Sequence, residues 1–162
     1  MSSVVIARIR ASHTYPIRSA VLRTGLPIES SVFDGDDAET TRHYGAFLAQ
    51  ADQGSSAQAG QLALVGIVSL YQNGSDALAG SHWQLRAMAT LPKVRGLGIG
   101  QALVKHLISA SDHPEQVWCN ARSHAAGFYQ KLGFVTQGAP FEIPGVGPHV
   151  QMRFVADRSN FT

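Results

Sequence analysis

Arg95, Gly98 and Gly100 stand in an R-x-x-G-x-G arrangement within LPKVRGLGIGQALVKHLI, with a further glycine at Gly96. Glycines lack the Cβ that keeps a ligand away from the backbone, so neighbouring N–H groups can close on an oxyanion. A helix beginning here adds unpaired N–H groups and roughly half a positive charge from its dipole. Arg95 adds a full charge without blocking the loop. The chemistry such a set supports is the holding of a phosphate or pyrophosphate. Spacing excludes two common phosphate loops. The dinucleotide pattern G-x-G-x-x-G fails because Gln101 stands in the third glycine's place after Gly96 and Gly98. The P-loop fails because Gln101 also stands where its second glycine belongs, with no Lys-Ser or Lys-Thr behind it. Two readings stay open on spacing alone, a pyrophosphate cradle and a glycine-rich surface turn.

The elements that must position this loop can be read from periodicity. Val4 to Ser12 alternates like a strand. The segment from Tyr15 to Gly25 reads as a helix, with Ile17, Ala20 and Val21 on one face, Pro16 near the first turn and Gly25 as its stop. A loop follows, containing FDGDD with Asp34, Asp36 and Asp37, whose residue types favour a solvated turn. RHYGAFLAQ and QLALVGIVSLYQ read as two strands of a hairpin, joined by the small, polar and mobile stretch ADQGSSAQAG. HWQLRAMATLP is a strand that Pro92 ends. The loop then opens a helix from about Gly98 to Ser111, carrying Ile99, Ala102, Leu103, His106, Leu107 and Ala110 on one face. QVWCNAR is a short strand, and SHAAGFYQKLG a helix with Ser123 as N-cap and Gly133 as its terminal glycine. Two strands around PGVGP finish the chain. The order β-α-β-β-β-α-β-α-β-β makes an α/β fold in which helices pack on a mixed sheet. Trp83 and Trp118 alternate into the core, and Cys119 in its apolar strand reads as a small buried residue rather than a nucleophile.

Bulk properties narrow the function classes. The 162 residues suit a single domain spanning 1–162, and 44% hydrophobic with 15% charged residues suits a packed core. A net charge of +2, from 13 basic and 11 acidic residues, gives no basis for a nucleic-acid partner. One cysteine permits no internal disulfide. The N-terminal MSSVVIARIR lacks a signal peptide's layout, and the longest apolar run is about half of a membrane span. A cytoplasmic chain without a membrane partner and without a metal is the expectation.

LRAMATLPKVRGLGIGQALVKHLI resembles the acetyl-CoA-binding segment of the GNAT (Gcn5-related) N-acetyltransferase superfamily, and NARSHAAGFYQKLGF resembles that family's later helix motif through Ala125, Phe128, Tyr129, Lys131, Gly133 and Phe134. The two motifs come in the family's order with a strand between them. The resemblance implies the acyl-CoA N-acyltransferase fold, a central, mostly antiparallel sheet flanked by helices. It implies acetyl-CoA as co-substrate and an amine acceptor that attacks the thioester directly in a ternary complex. The same resemblance admits an alternative, a non-catalytic acyl-CoA-binding module or sensor. Homodimers are common in the family and are implied here as a partner state.

The resemblance also assigns residues. Backbone groups at Met88, Ala89 and Thr90 would meet the pantetheine arm and thioester oxygen. Arg95, Gly96, Leu97, Gly98, Ile99 and Gly100 would hold the pyrophosphate. Tyr129 would act as general acid toward the departing thiolate, and would also touch the cofactor. Many members carry an asparagine seven residues before this tyrosine; Arg122 stands there, with Asn120 two residues earlier, so both are cofactor-contact candidates. Bases in the family are carboxylates or histidines, and His82 and His149 lead a set that includes Glu29 and His43. FDGDD would fall beside the acceptor, where its carboxylates could form an anionic rim.

Overall fold

The computed structural model describes residues 3–49, 61–75 and 79–155. Strand β1 (Val5–Ile9) leads into helix α1 (Ala11–Ile17), a π-helical turn (Arg18–Leu22) and a 3-10 turn (Ile28–Ser31). Strands β2 (Arg42–Ala49), β3 (Leu62–Tyr71) and β4 (Trp83–Thr90) follow, then helix α2 (Ile99–Ala110) and strand β5 (Val117–Arg122). Helix α3 (Ala126–Gln130) and strands β6 (Phe134–Ile143) and β7 (Gly147–Phe154) close the chain. The alternation is the one expected from sequence. The seven strands form one sheet in the order β1-β2-β3-β4-β5-β7-β6. β1 with β2, β5 with β7 and β6 with β7 pair antiparallel, whereas β4 and β5 run parallel and pair only at Trp83↔Val117 and Gln84↔Trp118. The stretch ADQGSSAQAG lies outside the described residues. Among the described residues no helix is long and apolar enough to cross a membrane.

Two compact units divide the chain: Met1–Ser69 with Ala87–His106, and Leu70–Arg86 with Leu107–Thr162. In the first, Ile17, Ile67 and Ala89 are buried together, with Ile9, Leu64 and Leu91 packed against them. Each isoleucine or leucine among them contributes about 1.5–3 kcal/mol on full burial. Gly66 on β3 sets the seat of α2. A Cβ there would come within 3.0 Å of Leu103, 3.1 Å of Ile99 and 3.2 Å of Thr90, so the missing side chain lets the head of α2 pack close to the sheet. In the second unit, Val117, Trp118, Cys119 and Ala121 of β5 are buried. The indole N–H of Trp118 donates to the Asn73 carbonyl at 2.8 Å. Edge-to-face rings link Phe128, Tyr129, Phe134 and Phe154 at 5.0, 5.4 and 5.5 Å between successive centroids. Phe134 thus packs back on α3, past a Gly133 held at φ +97°.

Three details differ from expectation. The first strand ends at Ile9 and α1 starts at Ala11, because Ala11, Thr14, Ile17 and Arg18 already fall at helical spacing and are all buried. Pro16 therefore lies inside the helix rather than in its first turn. The next segment widens to a π turn, closed by the Arg23 N–H on the Arg18 carbonyl at 2.9 Å. Ser123 does not cap α3; it opens a 3-10 turn (Ser123–Ala125), and its side chain makes no capping bond.

Candidate active site

The glycine loop sits where the sequence placed it, between the 3-10 turn Pro92–Val94 and the head of α2. Gly96 and Gly98 have φ of +84° and +79°, and a Cβ on either would meet nothing within 4 Å. The conformation itself, not crowding, requires glycine: a left-handed residue with a side chain costs about 1–2 kcal/mol. Among the described residues, the N–H groups of Gly96, Gly98, Ile99, Gly100 and Gln101 have no backbone acceptor, while Leu97 donates to Val94 and Ala102 to Gly98. A row of unpaired donors at the head of a helix is a ready anion site. Leu97 is 66% exposed at the loop's tip.

The strand before the loop holds a residue that no sequence signal marks. Ala87 has φ +56°, in a strand of otherwise ordinary backbone. Left-handed alanine is strained and is the kind of irregularity that re-aims strand residues at functional sites. It immediately precedes Met88, Ala89 and Thr90, of which Ala89 is buried in the first unit's core.

The remaining candidates lie in the second unit. Tyr129 is 6% exposed. Burial pushes its phenol well above 10, with the neighbouring Cys119 as a smaller influence in the same direction. The Cys119 thiol is itself pushed up to about 12 by burial, which keeps it protonated and inert. Asn120 Oδ1 and Ser123 Oγ are buried with no hydrogen-bond partner among the described residues. Arg122 ends β5 and pairs with His149 in the β5–β7 register. His149 is buried, and its Nδ1 lies 2.8 Å from the Gly147 carbonyl. A carbonyl only accepts, so Nδ1 is the donor, and in the neutral imidazole Nε2 is then the ring's acceptor. His82, by contrast, is exposed, and its backbone N–H donates to the Gln116 carbonyl at 3.1 Å.

Within FDGDD, Asp36 belongs to a buried ionic cluster and is neither solvated nor part of an open anionic rim. Asp36 is 5% exposed and Arg18 is 0% exposed. Nη1 and Nη2 of Arg18 donate to the two Asp36 carboxylate oxygens at 2.7 and 3.1 Å, to the Ser31 carbonyl at 3.0 Å and to Ser69 Oγ at 3.2 Å. Phe33 adds its N–H to Asp36 at 2.8 Å and its ring beneath the guanidinium, 4.3 Å from the centroid. Asp34 and Asp37 stay exposed.

His43 belongs to the same cluster, which removes it from the candidate bases. Nε2 donates to the Asp36 carbonyl at 2.9 Å, and Nδ1 accepts from Ser69 Oγ at 2.7 Å while that oxygen accepts from Arg18. Burial, and next the Arg18 charge, lower its pKa from 6.5 against the opposing pull of the Asp36 carbonyl. The unfolded chain therefore takes up the proton first as pH falls. Stability is full above 6.5 and declines below it, until the folded form also protonates. His43→Gln should flatten that acid limb in urea unfolding measured from pH 7.5 to 5; an unchanged slope would show that other groups set it. Glu29, the remaining base candidate, is exposed on the 3-10 turn Ile28–Ser31.

Residues 29–156 match the family model of the Acetyltransferase (GNAT) domain. The chain is 36% identical over 150 residues to the N-acetyltransferase YitI of Bacillus subtilis (strain 168), covering 91% of this chain and 93% of that protein. Escherichia coli ElaA shares the fold with a TM-score of 0.67 at 18% identity, over 94% of this chain and all 100% of that one. Arabidopsis thaliana NAA60, solved in complex with acetyl-CoA, does so with a TM-score of 0.66 at 14% identity, over 94% and 99% of the two chains.

Proposed function

The chain belongs to the GNAT acetyltransferase family, and from that membership we propose that it transfers an acetyl group from acetyl-CoA to an amine by direct attack. The observation that carries this reading is the set of N–H groups at Gly96, Gly98, Ile99, Gly100 and Gln101, at the head of α2, that have no backbone acceptor among the described residues. With Arg95 they fit a pyrophosphate. Asn120 Oδ1 and Ser123 Oγ are buried acceptors without partners, which fits the amide N–H groups of a pantetheine arm. Acetyl-CoA, when bound, supplies the thioester. The backbone of Met88 to Thr90 holds that group, and one N–H on the developing oxyanion lowers the barrier by about 3 kcal/mol. Fixing amine and carbonyl in attacking geometry contributes most of the rest. The family match takes in residues of both compact units, which supports reading 1–162 as one catalytic domain.

His149 is the better base of the two leading histidines. Its Nδ1–H is held by Gly147, so Nε2 is the acceptor for the proton the amine must lose. Tyr129 answers the thiolate. Its pKa, raised by burial, makes full proton transfer to a thiolate of pKa about 8.5 unfavourable. Its part is then to donate a hydrogen bond to the departing sulfur, with the phenol protonated throughout the working pH range. Tyr129→Phe should lower kcat roughly a hundredfold and leave the KM for acetyl-CoA within about twofold. Steady-state assays with a single-turnover control read both quantities, and an unchanged single-turnover rate would leave the tyrosine with packing alone.

The test of the activity itself is release of free thiol from acetyl-CoA in the presence of an amine panel. Thiol that appears only with both substrates supports transfer. Tight CoA binding with no thiol from any amine would instead make the chain an acyl-CoA-binding module.

A further inference from the structure

A groove in the first unit, beside the outer strand β1, uses none of the residues placed in the reaction. It is an open trough of about 900 Å3, within the range of roughly 300–1,000 Å3 usual for small-molecule sites. Ile9, Phe47 and Leu64 line it with apolar surface, and Arg8, Arg10 and His13 line it with basic groups. No carboxylate lines it among the described residues. The ion pairs among those residues involve Arg18, His43 and His113, so neither Arg8 nor Arg10 is neutralised by a described carboxylate. Apolar surface also continues into water: Leu62, a further lining residue, is 51% exposed, and Val5, the partner of Phe47 in the β1–β2 ladder, is 44% exposed.

We infer that this groove binds a single-chain amphiphilic anion, an aliphatic carboxylate whose chain lies on Ile9, Phe47 and Leu64 and whose head meets Arg8, Arg10 and His13. Both halves of the ligand follow from the lining. Apolar area left in water is stabilised when an alkyl chain covers it. A guanidinium offers a carboxylate two parallel N–H donors, a match that an ammonium head cannot use and a neutral head uses poorly. A small inorganic anion would leave the apolar surface wet.

The test is an amide chemical-shift titration of the full chain with decanoate, below its micelle concentration. Decyltrimethylammonium serves as the sign control and acetate as the head-only control. Saturable shifts confined to β1, α1 and the ends of β2 and β3 are expected, with decanoate binding about tenfold or more tighter than the cation. Acetate should produce no saturation. The double variant Arg8→Glu/Arg10→Glu should reverse the preference between the two heads; Arg10→Gln, a milder change at an exposed position, should weaken decanoate alone. Equal affinity for the two heads, insensitivity to both variants, or shifts centred on the 96–100 loop would each overturn the proposal. So would sedimentation with anionic vesicles without saturable decanoate binding, which would assign the basic groups to a membrane surface instead.

Discussion

Replacing Asp36 with alanine should cost the fold about 3–5 kcal/mol, the usual result of stranding one member of a buried ion pair. Arg18 would keep its place at 0% exposure but lose the carboxylate that takes two of its N–H bonds. Phe33 would lose the side-chain acceptor for its N–H, whereas His43 would keep its bond to the backbone carbonyl at position 36. Near this chain length 1 kcal/mol moves the melting midpoint about 2–4 °C, so a drop of about 10 °C is expected in calorimetry. The double variant Arg18→Met/Asp36→Leu separates the pair's net worth from the cost of breaking it. Because removing both charges also removes both desolvation penalties, the double variant should melt above Asp36→Ala. A single variant that melts within about 2 °C of the parent would mean that water reaches the cluster and relieves the guanidinium.

That cluster also shows where sequence stops being legible. The glycine loop could be read because its signal is local: Arg95, Gly98 and Gly100 are neighbours, and both the φ values and the free N–H groups follow from a helix beginning beside them. The element order could be read because periodicity is local too. The Arg18–Asp36 pair joins residues separated by 18 positions, and Ser69 lies 51 positions from Arg18. Nothing in FDGDD distinguishes an aspartate that will be enclosed from the exposed Asp34 and Asp37 beside it. No local signal marks Arg18, whose burial depends on the 3-10 turn and Phe33 folding over it.

Ala87 was hidden for a different reason. Left-handed backbone is announced by glycine or asparagine, and alanine announces nothing. Ala87 lies between two anchored stretches of β4: Trp83 and Gln84 pair with β5, and Ala89 is buried in the core with Ile17 and Ile67. The proposed preference for His149 over His82 needs the structure as well as the sequence. Residue type and hairpin position make both candidates, and only the bond to Gly147 gives His149 an oriented ring.

Gly98→Asp should raise the KM for acetyl-CoA roughly a hundredfold while leaving the protein folded. The change has two parts, and Gly98→Asn isolates the first of them. At φ +79° any side chain strains the backbone, but asparagine and aspartate tolerate that region best and a Cβ meets nothing within 4 Å. Both variants should therefore lose only about 1 kcal/mol of stability. The carboxylate even suits the head of α2, where a negative charge is favoured by the helix dipole. Binding responds in the opposite sense, because the new charge occupies the anion site. Two like charges about 5 Å apart, at an effective dielectric near 20, repel by about 3 kcal/mol, equivalent to roughly a hundredfold in affinity. Gly98→Asn should lose far less, and the gap between the two variants should narrow as salt rises from 50 to 500 mM, the signature of a screened charge. Equal losses for the two would show that the side chain's bulk, not its charge, obstructs the loop, and the pyrophosphate assignment would fall with that result.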